Sequence, residues 1–231
     1  MREGGIPQVL TLKPILEIAA LILTLVNGLM LLRVYLLDRP ILRVAAVHPN
    51  TYQWFFRLPP GEHDGQAARR YGFLAYIDVI NKGRRDVGLS VWKLRGRTKG
   101  YRQFEEEPLS IQEPQITIRG AYTKAYPVLG TQGALFQGET MVKSGASVSG
   151  FCYYVVEFFG HSNWDLRVHD GTTAAHMVVH SIFGNTAKTK VVFKEISLQK
   201  AEAVIPGIAN IDRANEEWND LAPPTPKTQT E

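Results

Sequence analysis

The order of apolar and polar residues divides the chain into one long apolar stretch followed by many short alternating segments. The apolar stretch covers residues 14–37, and no charged residue lies between Glu17 and Arg33. A helix of this length, rising about 1.5 Å per residue, spans roughly 36 Å and so exceeds the ~30 Å hydrocarbon core of a bilayer. The pattern predicts one transmembrane helix over residues 14–37, preceded by a short lead over residues 1–13.

A cleaved signal sequence and a helix lying flat on a membrane both fit this stretch less well. Signal cleavage follows small residues in an Ala-x-Ala pattern, and residues 38–43 (Asp-Arg-Pro-Ile-Leu-Arg) lack it. A surface helix needs a charged face, whereas residues 18–32 contain no charged residue. We therefore interpret the segment as an uncleaved anchor.

After residue 38 the apolar positions alternate with polar ones, which is typical of β-strands. Two hairpins are predicted, 73–80 with 87–94 and 174–183 with 188–198, because turn residues separate each pair. In the first strand of the first pair, Phe73, Ala75, Ile77 and Val79 are expected to share one face. The predicted strands are 41–47, 52–58, 73–80, 87–94, 111–118, 151–159, 174–183 and 188–198.

The sequences of two of these strands predict where each lies in the sheet. Residues 151–159 are apolar on both faces apart from Glu157, so this strand is expected where both faces of a sheet are covered. Pro114 interrupts residues 111–118, which predicts an edge strand. Residues 127–138 contain four glycine or proline breaks and predict a long surface loop.

Eight short strands with no clear soluble helix predict a mainly β domain over residues 38–205. An antiparallel immunoglobulin-like β-sandwich is the favoured architecture, and a β-barrel is the alternative. The Cys–Trp–Cys core signature of immunoglobulin domains is absent, because Cys152 is the single cysteine. Residues 206–231 end in a polar, proline-rich sequence and predict a flexible tail that includes a candidate short helix.

The net charge of +4 is unevenly distributed. Residues 82–102 hold eight basic residues and one acid, Asp86, so this segment carries +7 and the rest of the chain −3. We interpret the segment as a candidate anionic-lipid patch, with a solvated strand face as the plain alternative. Nucleic acid is disfavoured, since Trp92 and Tyr101 are too few aromatics for a stacking platform. The patch comprises Lys82, Arg84, Arg85, Lys93, Arg95, Arg97, Lys99 and Arg102.

A second candidate surface lies in the tail. Its apolar residues are spaced to share one side of a short helix, which favours docking onto a partner groove. The same spacing is also compatible with packing back onto the domain. These residues are Ile208, Ile211, Ala214, Trp218 and Leu221.

Motifs for chemistry are weak. His176 and His180 are four residues apart, but on a strand they lie about 13 Å apart and cannot share one metal ion. Residues 145–150 approach a nucleophile elbow, yet the final glycine comes one position late and a strand follows instead of a helix. Cys152 alternates with aromatic residues and is interpreted as a packed thiol. These patterns predict no enzyme activity, no metal and no cofactor.

Charges flanking the helix set its expected orientation. The carboxyl side carries Arg33, Arg39 and Arg43, against Arg2 and Lys13 on the amino side. The positive-inside bias thus favours a cytoplasmic domain by a margin of one residue, and a single cysteine is compatible with that compartment.

The sequence thus predicts a single-pass, membrane-anchored, non-enzymatic interaction or assembly module with an unidentified protein partner. The alternative is a membrane-tethered ligand-binding domain, in which the aromatic segment Tyr52–Phe56 and the loop Pro127–Gly138 form a concave site. A hydrolase ranks third, because it requires histidine and serine or acidic side chains to converge in space.

Overall fold

The computed structural model of the 231-residue chain describes residues 9–38, 41–48, 51–63, 66–118, 122–129 and 141–211. Helix α1 runs over Val9–Leu37. Its segment Pro14–Leu36 has a mean hydropathy of 2.3 and contains no buried residue. The predicted apolar helix is confirmed, and it begins five residues earlier than expected. It is long and apolar enough to serve as a single-pass anchor or as a signal sequence.

Twelve strands and one further helix lie within the described residues. Helix α2 covers Leu198–Val204, and two 3-10 turns cover Ser162–Trp164 and Ile208–Asn210. The strands are β1 (Leu42–Ala46), β2 (Gln53–Arg57), β3 (Gly61–His63), β4 (Gln66–Asn81), β5 (Val87–Arg97), β6 (Gln103–Glu106), β7 (Gln115–Ile118), β8 (Tyr122–Ala125), β9 (Met141–Val142), β10 (Ser147–Phe159), β11 (Thr172–Ser181) and β12 (Thr186–Glu195).

Ten of these strands form one sheet that curls into a half-barrel. The path is β1-β4-β2-β12-β11-β5-β6, with β3 and β10 also paired to β4 and β9 paired to β5. Every pairing is antiparallel except β2 with β12, which is parallel. The mainly β prediction is confirmed. The arrangement is not a clear immunoglobulin-like sandwich, because hydrogen bonds join the strands into one curled sheet instead of two stacked ones.

The longest strand, β4, explains why the first predicted hairpin is wrong. β10 pairs with one edge of β4, while β1 and β2 follow one another along the opposite edge. Gln53 bridges the break between β1 and β2, since its Nε2 donates to Val47 O (3.1 Å) and Tyr76 O (2.9 Å). With both edges of β4 occupied, β5 pairs with β11 and β6. The second predicted hairpin, β11 with β12, is confirmed.

The concave side of the sheet holds the inner core. On β4, Phe73, Ala75, Ile77 and Val79 all point to this side, as predicted, and all are fully buried. The curl brings apolar side chains of the other half of the sheet onto them, namely Trp92 and Leu94 of β5, Met177 and Val179 of β11, and Val191 and Phe193 of β12.

The convex side carries a second, outer core over half of its width. Phe56, Leu74 and Tyr153 project from β2, β4 and β10, so β10 is covered on both faces as predicted. Helix α2, which the sequence analysis missed, lies over them, and Ser197 Oγ caps it by accepting from Lys200 N.

The loop predicted over residues 127–138 differs in the structure, and the strand predicted over residues 111–118 is shorter, covering Gln115–Ile118. Pro127 and Leu129 pair with Phe151 of β10 instead of forming a free surface loop, and residues 130–138 lie outside the described residues. β7 pairs only with β8 in a separate two-stranded sheet. The convex face of β5, β11 and β12 lies beyond α2 and the outer core, and it forms the candidate site.

Candidate functional site

The uncovered face of β5, β11 and β12 forms an open groove of about 670 Å³. Residues that are paired across the three strands place their side chains in rows along this groove. His176 on β11 lies between Arg95 on β5 and Lys190 on β12, and Val178 lies between Lys93 and Lys188. The residues that line the groove are Arg95, Gly96, Arg97, Gln103, Arg167, His169, Thr172, Thr173, Ala174, His176, Val178, Lys188, Lys190 and Val192.

Alternation along β12 determines the polarity of this face. Ala187 and Val191 point into the inner core, whereas Lys188 and Lys190 are exposed on the convex side. Five cationic side chains line the groove, and no acidic side chain does so among the described residues. Clustered cations without a counter-charge produce a positive potential that attracts anionic groups.

The cations differ in how far neighbouring groups neutralise them. Arg95 Nε donates to Glu105 Oε2 at 2.7 Å, and Lys93 Nζ donates to Glu105 Oε1 at 2.8 Å. These two hydrogen bonds hold the pKa of Glu105 below its ordinary value. Arg167 lies 5.4 Å from the centre of the Tyr101 ring. The neutral Tyr101 ring leaves the charge of Arg167 in place, so among the five groove cations only Arg95 is paired with an acid in the described residues.

The other four groove cations are Arg97, Arg167, Lys188 and Lys190. None of them forms a salt bridge with any acid in the part of the chain that the structure describes. All four are exposed, so an incoming anion can reach them without breaking an ion pair.

The candidate anionic-lipid patch is not one surface. Lys93 and Arg95 share a face of β5 with Arg97, as the alternation predicts, but Glu105 binds the first two. The other residues of the patch occupy both ends of the sheet. Lys99 Nζ lies 3.1 Å from Asp165 Oδ2, and Arg102 lies over the Trp164 ring at 4.2 Å.

Lys82, Arg84 and Arg85 lie in the turn after β4, next to the end of α1. Lys188, Lys190 and Arg167 lie outside the predicted patch, although the alternation Lys188-Thr-Lys190 in a predicted strand already places the two lysines on one face. The charge cluster that the structure assembles thus differs from the one that is continuous in sequence.

Asp165 anchors the end of the sheet that is farthest from α1. Its carboxylate accepts from Tyr71 Oη at 2.7 Å, from Lys99 Nζ at 3.1 Å and from Leu166 N at 2.9 Å. Burial alone would raise its pKa, but these hydrogen bonds outweigh that effect and hold the pKa below its ordinary value. Burial and the bond to Asp165 raise the pKa of Tyr71 to about 12.

The depressed pKa of Asp165 predicts that this residue stabilises the fold at neutral pH and loses that effect in acid. The ionised Asp165 stabilises the fold above the pKa it has in the unfolded chain, and that stabilisation is lost as pH falls through its lower folded pKa. Asp165→Asn is expected to cost about 1–3 kcal/mol at neutral pH and to flatten the decline between pH ~5 and ~2. Denaturant unfolding of the parent protein and of Asp165→Asn across that pH range measures the free energy of unfolding. An unchanged acid decline in the variant would contradict this role.

Histidine and thiol chemistry finds little support in the described residues. His176 and His180 lie on β11, and no three His, Cys, Asp or Glu side chains converge there as a metal site requires. His169 Nε2 lies 3.2 Å from Asp170 Oδ2, with both side chains 88% exposed. Cys152 is fully buried, and burial raises its thiol pKa to about 12, so it cannot act as a nucleophile at neutral pH.

The candidate docking segment is partly built into the domain. Ile208 is fully buried in the outer core, and Ile211 packs against that core. Ile208 therefore offers no free face to a partner helix, and the contacts of both residues agree with packing back onto the domain. Ala214, Trp218 and Leu221 lie outside the described residues.

The aromatic segment Tyr52–Phe56, predicted to bind a ligand, has some side chains in the two cores and others at the surface. Phe55 and Phe56 are fully buried. The Tyr52 ring packs edge-on against Trp54 and Phe151, at 6.0 and 6.1 Å between centres. Tyr52 and Trp54 line a second open groove of about 770 Å³ between β2, β7 and α2.

Comparison with known proteins adds no functional information. No protein-family model and no curated protein matches this chain. Among solved structures, the chain is similar to one described as the X-ray structure of Northeast Structural Genomics Consortium target SoR45. The two share 10% identity and a TM-score of 0.30, over 74% of this chain and 92% of that chain. At that score the likeness carries no inference.

Proposed function

We propose that this protein is a single-pass, membrane-anchored, non-enzymatic interaction module that binds an acidic segment of a partner protein in the groove on β5, β11 and β12. The observation that carries the proposal is a set of four unneutralised cations in a groove with no acidic lining among the described residues, namely Arg97, Arg167, Lys188 and Lys190. Carboxylates suit this site because charge-assisted hydrogen bonds to Lys and Arg are short and strong.

The lining favours a polypeptide over nucleic acid. Ala174, Val178 and Val192 form an apolar floor between the cations, which fits the alternate apolar side chains of an acidic peptide. No Phe, Tyr or Trp side chain lines the groove among the described residues, whereas single-stranded nucleic acid binds mainly by stacking on large aromatic rings.

The anchor assigned to α1 would hold this module at the bilayer. Its apolar span, 23 residues over Pro14–Leu36, supports a crossing, and the excess of flanking arginines on the carboxyl side favours a cytoplasmic domain. Labelling an introduced cysteine on intact cells with an impermeant reagent tests that side.

Charge reversal in the groove tests the binding proposal. The full-length chain in detergent micelles is titrated with a fluorescein-labelled peptide of alternating Glu and Leu. Lys188→Glu/Lys190→Glu is expected to weaken binding more than about tenfold, because each lost charge-assisted bond contributes ~1.5–3 kcal/mol. The matched control, Lys82→Glu/Lys143→Glu, makes the same charge change outside the groove lining and should bind like the parent protein.

Two further measurements, at increasing salt and with a competing oligonucleotide, separate specific peptide binding from general charge attraction. Binding in the groove should weaken as salt rises, since exposed charges are screened. Equal loss in both double variants would mean non-specific attraction and would overturn the proposal. Tighter binding of a single-stranded oligonucleotide than of the peptide would replace it with a nucleic-acid role.

A small-ligand site is the second candidate. The groove beside Tyr52 and Trp54 supports it, with Lys200 Nζ 5.9 Å from the centre of the Trp54 ring. A ligand held there would stabilise the chain against thermal unfolding equally in the parent protein and in Lys188→Glu/Lys190→Glu.

A further inference from the structure

The end of the sheet next to α1 gathers four segments that are distant in sequence. We call it the membrane end and define it as residues 38, 41–43, 82–86, 141–146 and 181–185. Lys82 N donates to Ile41 O at 2.7 Å, and Ile182 N donates to Gly88 O at 3.0 Å. Ser144 N donates to Asp86 Oδ1 at 2.8 Å. The hairpin tip between β11 and β12 is thus fixed beside the turn after β4.

The link between this end and α1 is short. Asp38 ends the helical segment, with its N donating to Val34 O at 2.9 Å, and Ile41 already precedes β1. Three residues extend at most about 10 Å. Arg85 Nη2 also lies 3.1 Å from Asp38 Oδ2. If α1 crosses a bilayer, the membrane end therefore lies at the level of the headgroups.

The membrane end exposes apolar side chains, as a contact with the bilayer requires. Outside α1, eight large hydrophobic side chains are exposed among the described residues, and four of them belong to the membrane end. Ile182 is 60% exposed and Phe183 is 64% exposed, adjacent at the hairpin tip. The other two are Ile41 and Met141, exposed by 52% and 53%. In water these groups have no favourable environment, but the bilayer interface provides one.

Charge at this end matches an anionic surface. The membrane end holds five basic residues against two acids, a net +3. Asp38 is already bound by Arg85, and Asp86 accepts from Ser144 N. The basic residues are Arg43, Lys82, Arg84, Arg85 and Lys143. Cations that surround exposed apolar tips are the composition of a membrane-interface contact.

We propose that the membrane end docks onto the bilayer that α1 crosses, with Ile182 and Phe183 inserted at the interface and the basic residues on anionic lipid headgroups. This docking fixes the domain upright, since β4 runs away from the membrane end for 16 residues, or about 50 Å. The inference rests on the membrane anchor in the proposed function but not on the acidic partner. It leaves the basic groove facing sideways.

Depth-dependent fluorescence quenching tests the docking. Asn185→Cys at the hairpin tip and Ser162→Cys at the opposite end are each labelled with bimane in the full-length chain, where the native Cys152 is buried. The proteins are reconstituted in phosphatidylcholine–phosphatidylserine vesicles containing a nitroxide lipid with a shallow spin label. Quenching at residue 185 is expected to be at least about twofold stronger than at residue 162.

Two variants separate the apolar and ionic contributions. Ile182→Ser/Phe183→Ser should reduce quenching at residue 185 towards the level at residue 162. Lys82→Gln/Arg84→Gln/Lys143→Gln should reduce it only when phosphatidylserine is present. Lys99→Gln/Arg102→Gln, at the opposite end of the sheet beside Trp164 and Asp165, should leave quenching at residue 185 unchanged.

Two results would overturn the proposal. One is equal quenching at residues 185 and 162 in the parent protein. The other is release of the chain from vesicles by alkaline carbonate, which would show that α1 is not an anchor. Peptide binding in the groove is measured in detergent, so its failure is a separate result.

Discussion

A Gly72→Val variant is expected to lose about 3 kcal/mol of unfolding free energy, because overpacking a filled core is strongly destabilising. A Cβ at residue 72 would lie 2.5 Å from Cε2 of Phe56 and 3.1 Å from Cε2 of Tyr153. These two rings stack in the outer core with 6.2 Å between centres and 5° between planes. Circular dichroism in mild detergent should show a melting temperature lower by roughly 6–12 °C.

Two comparisons identify the cause of that loss. Gly61→Ala, also in a strand, meets only the flexible side chain of Arg70, with Cδ at 2.8 Å, and should change stability far less. Adding Phe56→Leu to Gly72→Val removes the closest ring, so the double variant should be more stable than the sum of the single changes predicts. Strict additivity would show that a contact other than the Phe56 ring, such as Tyr153 Cε2 at 3.1 Å, explains the loss.

Local alternation predicted much of the fold. Alternating apolar residues predict the strands β1, β5, β11 and β12, a dense aromatic run predicts β2, and the shared inward face of Phe73, Ala75, Ile77 and Val79 is confirmed. A strand of β10's composition required cover on both faces, and both cores supply it. These features depend on side chains within a few residues of one another.

Strand partners depend on distant residues and were harder to predict. Nothing within residues 73–94 reveals that β10 and β1 occupy both edges of β4, so a turn signal at residues 81–85 was interpreted as a hairpin. The sandwich prediction failed for the same reason. Alternating strands fit two stacked sheets or one curled sheet equally well, and long-range pairing decides between them.

The same limit applies to the candidate site. Charge density along the sequence identified residues 82–102, but pairing with β6 places Glu105 on Lys93 and Arg95. Pairing with β11 and β12 brings Lys188 and Lys190 to the same face. A surface built across strands has a charge that no single segment displays, which explains why the groove and the membrane end appear only in the folded chain.

Ile208→Ala is expected to destabilise the domain by about 2–5 kcal/mol, the usual cost of truncating a buried isoleucine. Ile208 is fully buried in the outer core, and Tyr153 Oη donates to its carbonyl at 3.3 Å. Chemical denaturation in mild detergent measures the loss, with Ile182→Ala as the matched control, because Ile182 is 60% exposed and its truncation should cost less than ~0.5 kcal/mol. Equal effects at both positions would contradict the assignment of Ile208 to the core. A large effect at Ile208 alone moves the end of the folded domain beyond the predicted boundary at residue 205, so a deletion from residue 206 would remove part of the core together with the tail.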